Sequence, residues 1–308
     1  MAYGADILTD SVNSEGNRLT TFELKLPRIV LAEFNTHRMI SRNSASSRAR
    51  PVEQQLLDIL DDPFVPVAWG INQSGMQAAT ELSGDEVPHA TNIWLRGRDY
   101  AALSAVALIG GVQRLKNPAL QQRVLQLQED LHYPATPLET PLHKQIANRL
   151  LEPYMWHTII ATATDWSNFF ALRANPMAQP EIQKAAYMMK GLYVTREPRL
   201  LHDDEWHLPL IQDDEWRLPM EALKKMSVGR CARVSYLTHD TGKRDPGKDI
   251  QLHDSLMRSG HMSPFEHVAR SMTTQERHSA EYSGNFHDWH QYRKDMPHED
   301  DYSLISTI

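Results

Sequence analysis

Thr20-Thr21-Phe22-Glu23-Leu24-Lys25-Leu26 alternates apolar and polar side chains, the period of a strand with one buried face. Pro27 interrupts it. Arg28 to Phe34 is apolar and branched and reads as a second strand or another buried element. The composition then changes. Thr36-His37-Arg38-Met39-Ile40-Ser41-Arg42-Asn43-Ser44-Ala45-Ser46-Ser47-Arg48-Ala49-Arg50 holds four Arg and four Ser in fifteen residues. Guanidinium groups offer forked, charge-assisted bonds to phosphate, and Ser hydroxyls with loop N–H groups can complete an anion cradle. Composition alone leaves a solvated polar loop open as the other reading.

Working outward, Pro51 opens a helix with Val52, Leu56, Ile59 and Leu60 on one face, closed by Pro63 and Pro66. Residues 67–92 read as loop with short elements. Tyr100 to Leu115, Gln121 to Leu131, an amphipathic His143 to Met155, Trp166 to Leu172 and Glu181 to Val194 read as helices, the last ending before Pro198. Ile250 to Arg258 reads as a helix stopped by Gly260, and Val268 to Thr274 as a strand. Asp203-Asp204-Glu205-Trp206-His207-Leu208-Pro209-Leu210 nearly recurs as Asp213-Asp214-Glu215-Trp216-Arg217-Leu218-Pro219-Met220. Two copies are too few for a solenoid, so a structural loop with paired Trp anchors is expected. The tail beyond Pro297 is acidic and reads as loose.

The 308 residues suffice for a substantial core, and no linker divides them. No run approaches the roughly 20 apolar residues that cross a membrane, and Met1 to Asp10 lacks the basic start of a signal peptide. One cysteine, Cys231, cannot form an intrachain disulfide, which points to a reducing cytoplasm. A net charge of −7 argues against a general nucleic-acid binder, though not against one small anionic ligand.

Three further constellations carry chemistry. Arg173 ends the apolar run that begins at Asn168, so it needs a partner, either a core carboxylate or a ligand. His261, Glu266 and His267 contain metal-ligating groups, but not at a known metal spacing, so no metal site is expected. His287 and His290 read as surface histidines. There is no G-x-G-x-x-G, P-loop or G-x-S-x-G, so neither a Rossmann dinucleotide site nor a serine elbow is present. Cys231 reads as a buried structural thiol despite its flanking Arg230 and Arg233.

Together these segments resemble the flavin-dependent thymidylate synthases (the ThyX family). His37, Arg38, Ser41, Asn43, Ser46 and Arg48 fall on that family's Arg-His-Arg…Ser-x-Asn-Glu-x-Ser-x-Arg signature. Asn168 to Arg173 with Gln179, Glu181, Ile182 and Gln183 is similar to its Asn-Phe-x-x-Leu-Arg…Gln-x-Glu-Ile-Gln region. Ala232-Arg233-Val234-Ser235-Tyr236 is similar to its Ala-Arg-Val-Ser-Phe opening, and Gly260 to His267 to its Gly-His-x-Thr-Pro-Phe-Glu-His block. The last two blocks come first in the family and last here. The resemblance therefore implies a single circularly permuted α+β domain, an antiparallel sheet packed with helices. It would comprise a signature over 20–50, an unmatched insertion over 51–140, a helical block over 143–198 and the family's opening over 226–275. A permutation requires the chain near residues 20 and 270 to be close in space.

The resemblance also implies an activity: transfer of a one-carbon unit from methylenetetrahydrofolate to C5 of dUMP, with hydride passing through FAD and NADPH reducing the flavin. It assigns catalytic roles to Arg173, facing the pyrimidine, and to His261, near the flavin ring. His37, Arg38, Asn43, Asn168, Ser235, Ser263 and Glu266 would contact FAD. Glu33, Ser46, Ser47, Arg48, Arg149 and Arg173 would bind a pyrimidine deoxynucleotide monophosphate. The sites would form between subunits of a homotetramer, with no nucleic acid, membrane or metal involved. Four departures stand out: Thr36 for the signature's first Arg, Ser44 for its Glu, Ala49 for its Tyr, and Glu33 where the family carries a nucleotide-holding Gln. Losing a guanidinium and gaining a carboxylate near phosphate weakens anion binding, by about a few kcal/mol, unless Arg42, Arg50 or an Arg from the unmatched region compensates. Alternatives are a flavin-dependent dUMP or dCMP hydroxymethylase, a metal-dependent hydrolase built on His261, Glu266 and His267, and a nucleic-acid-binding module built on the Arg/Ser loop.

Overall fold

In the computed structural model, which describes residues 3–75, 77–134, 136–236, 244–279, 284–297 and 299–300, the alternating stretch becomes a central strand. Five strands form the main sheet: β1 (Gly4–Val12), β2 (Arg18–Pro27), β3 (Ser41–Ser44), β4 (Trp156–Ala163) and β5 (Arg199–Leu200), in the order β3-β4-β2-β1-β5. All pairs are antiparallel except β1 with β5. A second sheet runs β6 (Trp206–His207), β7 (Ala269–Ser271) and β8 (Trp289–Gln291), antiparallel throughout. Ten α-helical segments are described: α1 (Leu31–Phe34), α2 (Val52–Asp61), α3 (Glu86–Leu108), α4 (Pro118–Asp130), α5 (Lys144–Ala147), α6 (Ser167–Arg173), α7 (Pro180–Thr195), α8 (Met220–Ala232), α9 (Pro246–Arg258) and α10 (Thr274–His278). The architecture is α+β, with helices packed on an antiparallel-rich sheet. None of the described helices is long and apolar enough to cross a membrane.

Phe22, Leu24 and Leu26 point to one face of β2 and pack against Ile159 and Ala161 of β4, Phe169 and Phe170 of α6, and Ile182 and Met189 of α7. The opposite face is not all solvated, as period-two alternation suggests. Glu23 and Lys25 remain partly exposed, but Thr21 is fully buried, with His207 of β6 seated on its hydroxyl. Helices α2, α3 and α4 keep a core of their own, in which Leu56 and Ile59 meet Ala102, Val106, Leu120 and Val124. Leu151 and Met155 join it and tie these helices to the start of β4.

Several sequence expectations need correction. Residues 67–92 are not all loop: α3 begins at Glu86 and ends at Leu108, both earlier than the helix expected over Tyr100 to Leu115. Arg28 to Phe34 is a turn of 3₁₀ helix running into α1, not a strand. His143 to Met155 is not one helix: α5 gives way to a 3₁₀ stretch, Asn148–Tyr154, which contains the helix-breaking Pro153. The 143–198 block also contains the buried strand β4, whose Thr158-Ile159-Ile160 run is the β-branched signal for it.

The near-repeat is asymmetric. Trp206 is partly buried against Tyr292 and under Lys224, whereas Trp216 lies at the surface beneath the Arg199 guanidinium. Its acids instead form ion pairs: Asp203 with Arg277, Asp204 with Arg270, and Glu215 with the buried Arg230, which also holds Asp249 of α9. That bridge locks α8 to α9, and Gly229 permits it. A Cβ at Gly229 would stand 2.3 Å from the Asp249 carbonyl oxygen. Gly229→Ala is therefore expected to destabilise the fold by about 1–3 kcal/mol, the usual range for overpacking, read as a lowered urea midpoint at unchanged slope.

Candidate active site

The strip near the start and the histidine block near the end of the chain meet at β3. Asn43 of β3 donates Nδ2–H to the Cys231 carbonyl at 2.7 Å, and its Oδ1 accepts from Ser263 Oγ at 3.1 Å. Gln291 of β8 braces the same junction, donating Nε2–H to Ser41 Oγ (3.2 Å) and to the Glu266 carbonyl (3.1 Å). Leu19 and Ala269 share one core cluster with Trp289, so the chain near 20 and near 270 is close, as a permuted order requires.

Within the histidine block the three candidate ligands diverge. His261 is exposed and hydrogen-bonds Ser259 Oγ at 3.0 Å. Glu266 accepts from Arg293 at 2.6 Å. His267 is fully buried, with Nδ1 2.8 Å from Thr162 Oγ1. Thr162 Oγ1 lies 2.7 Å from Thr21 Oγ1, which lies 2.8 Å from His207 Nε2, and His207 Nδ1 reaches Ser11 Oγ at 2.9 Å. Burial drives both imidazoles down to about 3, so they are neutral. His267 Nε2 has no hydrogen-bond partner among the described residues. Nor do any three His, Cys, Asp or Glu side chains among them converge to hold a metal. This geometry gives the hydrolase reading no support.

Arg173, at the last turn of α6, reaches back across 140 residues of sequence to Glu33. Its Nη1 pairs with the Glu33 carboxylate, and its Nε donates to His37 Nε2 at 2.9 Å. Burial, then the Arg173 charge, holds His37 below the usual histidine range. Its Nε2 accepts a hydrogen bond, so the neutral ring carries its proton on Nδ1. Phe169 packs edge-on against that ring, with centroids 5.0 Å apart. Glu33 and Arg173 line a cavity of 1470 Å³ between α6–α7 and the segment 67–81. Buried Glu181 fastens that wall, accepting from the Val67 N–H at 3.2 Å and from Gln179 Nε2 at 3.0 Å. Arg173 thus has the carboxylate partner that one sequence alternative expects, and it also lines this cavity.

The expected phosphate cradle is only partly assembled. Ser47 Oγ and Arg149 Nη1 both bond Glu152 Oε1, at 2.7 and 2.6 Å, while Arg48 is exposed. Ser46 and Ser47 line a second cavity, of 330 Å³, with Arg50, Tyr154, Trp156 and His157. Of the proposed compensating residues, Arg42 donates to the Ile40 carbonyl at 3.1 Å and Arg50 pairs with Asp58. Sequence reasoning missed Arg28, whose Nη2 also donates to Glu152 Oε1, at 3.3 Å. It lies eight residues before the Arg/Ser strip in an apparently apolar run, and only the turn after β2 brings it there.

The cofactor set is dispersed. Arg38 and Asn168 are exposed, Asn43 has both amide atoms engaged within the chain, and neither they nor His37, Ser263 and Glu266 line either cavity. The Ser235 side chain lies outside the described residues. Cys231 is buried, and burial raises its thiol above the usual range, consistent with a structural role.

No family model matches the chain, and no curated protein matches it. Solved structures do. Two crystal structures of PolB, a UMP/dUMP methylase from Streptomyces cacaoi, are similar to it at 15% identity, one bound with 5-Br UMP and one with 5-Br dUMP. They cover 63% of this chain and 89% and 90% of PolB, with TM-scores of 0.40 and 0.42.

Proposed function

We propose that this chain is a flavin-dependent enzyme that transfers a one-carbon unit from methylenetetrahydrofolate to C5 of dUMP, with FAD carrying hydride and NADPH reducing it. The observation that carries the reading is the Asn43–Ser263 hydrogen bond, which joins the two signature blocks from opposite ends of the chain. The block order is read as a circular permutation, and the Leu19–Ala269 proximity supports it.

The residues suit a flavin chemically. Arg38 exposes a guanidinium matched to a diphosphate, and Asn168 exposes an amide. Arg38, His37 and Asn168 would hold FAD, with Asn43, Ser235, Ser263 and Glu266 shaping its bed. FAD would supply the hydride chemistry. Arg173 would stabilise negative charge developing on the pyrimidine carbonyl, and neutral His37 would fix the guanidinium through Nε. Ser46, Ser47, Arg48 and Arg149 would hold the nucleotide phosphate. His261, exposed beyond α9, would flank the flavin and the folate. Glu33 and Arg173 line one cavity and Ser46 and Ser47 another, an arrangement compatible with the site being completed across subunits of the homotetramer that the family resemblance implies.

Glu33 favours keeping a second reading, hydroxymethylation of dUMP or dCMP. It brings a carboxylate to the residue that would face the base, which alters what that guanidinium can offer. The purified protein, alone or after adding FAD, is expected to absorb near about 450 nm. Product mass with dUMP and with dCMP separates the methyl from the hydroxymethyl outcome. A protein that stays colourless with FAD and converts neither nucleotide sinks both readings.

A further inference from the structure

Three donors end on one oxygen. Ser47 Oγ (2.7 Å), Arg149 Nη1 (2.6 Å) and Arg28 Nη2 (3.3 Å) all donate to Oε1 of Glu152. They come from three separate places: the Arg/Ser loop, the 3₁₀ stretch before β4, and the turn after β2. A carboxylate oxygen has two lone pairs, and the third donor, Arg28, stands at the longest distance. A phosphate monoester offers three terminal oxygens and two negative charges, so each donor would gain an oxygen of its own. The local charge points the same way, since two guanidinium groups face one carboxylate. The other neighbour of Arg28 is His157, 3.0 Å from Nη1 and largely buried. Burial, then the Arg28 charge, pushes that ring down to about 3, so it is neutral and offsets none of the positive charge.

We infer that Arg28, Ser47 and Arg149 form a cradle for a phosphate monoester, and that the carboxylate of Glu152 fills this cradle until a phosphate displaces it. This rests on the pyrimidine-nucleotide reading for the identity of the ligand, but not for the cradle itself. Arg28 thereby supplies the guanidinium that Thr36 lacks. Glu152 sets a threshold: only an anion that satisfies all three donors better than one carboxylate oxygen gains entry. A nucleoside without phosphate has nothing to exchange for Glu152 and is insensitive to it.

The test is calorimetric titration of the full chain with inorganic phosphate, dUMP and deoxyuridine, for wild type, Glu152→Gln, and Arg28→Gln in the Glu152→Gln background. Glu152→Gln keeps the side chain's size and one acceptor oxygen, and a melting curve verifies its fold. It should bind phosphate and dUMP about tenfold more tightly than wild type, with deoxyuridine unchanged. Adding Arg28→Gln should reverse that gain. Phosphate binding no tighter in Glu152→Gln overturns the inference, as does a gain that survives loss of Arg28. If dUMP is turned over while these shifts are absent, the cradle fails and the enzyme reading stands. If phosphate shows the shifts while dUMP binds no better than phosphate, the cradle stands and the pyrimidine reading fails.

Discussion

At pH 5 the folded chain is expected to be about 6 kcal/mol less stable than at pH 7, because three histidines are buried as neutral bases. His157, His207 and His267 are each pushed down to about 3, by burial first in every case, then by the Arg28 charge at His157 and by His267 at His207. In the unfolded chain each titrates near about 6.5. Between these values the unfolded state binds protons that the folded state refuses, so stability falls as pH drops below the unfolded value. Each site then costs about 2 kcal/mol by pH 5, whatever its folded value, provided that lies well below 5. The total rivals the whole stability of an ordinary domain, about 5–15 kcal/mol. Urea titrations at pH 7, 6 and 5 measure it. A midpoint that stays put from pH 7 to 5 would show that none of the three rings refuses protons in the native state, since a single one would still cost about 2 kcal/mol.

Arg173→Ala is expected to lower kcat/KM for the pyrimidine nucleotide by about a hundred- to a thousandfold, the scale of losing one preorganised charge-stabilising donor. The side chain is partly buried and lies at the cavity wall rather than in the core, so folding should survive the change. Arg173→Lys should not rescue activity. One guanidinium reaches His37 through Nε and Glu33 through Nη1, and an ammonium group cannot hold two partners in that fork. His37→Ala leaves the charge in place but frees its orientation, so the loss should be smaller and fall mainly on kcat. Stopped-flow measurement of flavin oxidation with dUMP separates these outcomes. Near-native turnover in Arg173→Ala would remove the residue from the reaction.

Elements whose signal is local were legible in the sequence. Periodicity and proline punctuation placed α2, α6 and α7 within a residue or two, and Gly260 marked the end of α9. The missed elements lack such marks. β4 is buried on most of its length and shows no alternation, and α8 buries residues around most of its circumference, so neither has a polar face to count. β1, with its mixed Asp and Thr, alternates too weakly to be recognised as a strand. In the site, residue types at motif spacing pointed to Asn43, Ser263 and Arg173 as candidates, and the family resemblance added Arg149, whereas their partners depended on long-range closure. Nothing local ties Glu33 to Arg173 or Arg28 to Glu152, because the partners lie more than a hundred residues apart in sequence, and Glu152 is invisible as a competitor until three donors are seen to share it.

The line of groups from Ser11 through His207, Thr21 and Thr162 to His267 imposes a parity rule. Each buried threonine hydroxyl has one proton to give and only its two neighbours in the line to give it to, so donation in the same direction at every link is the arrangement that strands no hydroxyl proton. If His207 carries its proton on Nδ1, then Thr21, Thr162 and His267 all point their protons toward it, and His267 too is an Nδ1 tautomer. The reverse polarity would leave a buried N–H at His267 Nε2 with no acceptor among the described residues, a costlier orphan than a bare lone pair. Two rings from distant parts of the chain must therefore share one tautomer, and neither can switch without inverting every bond between them.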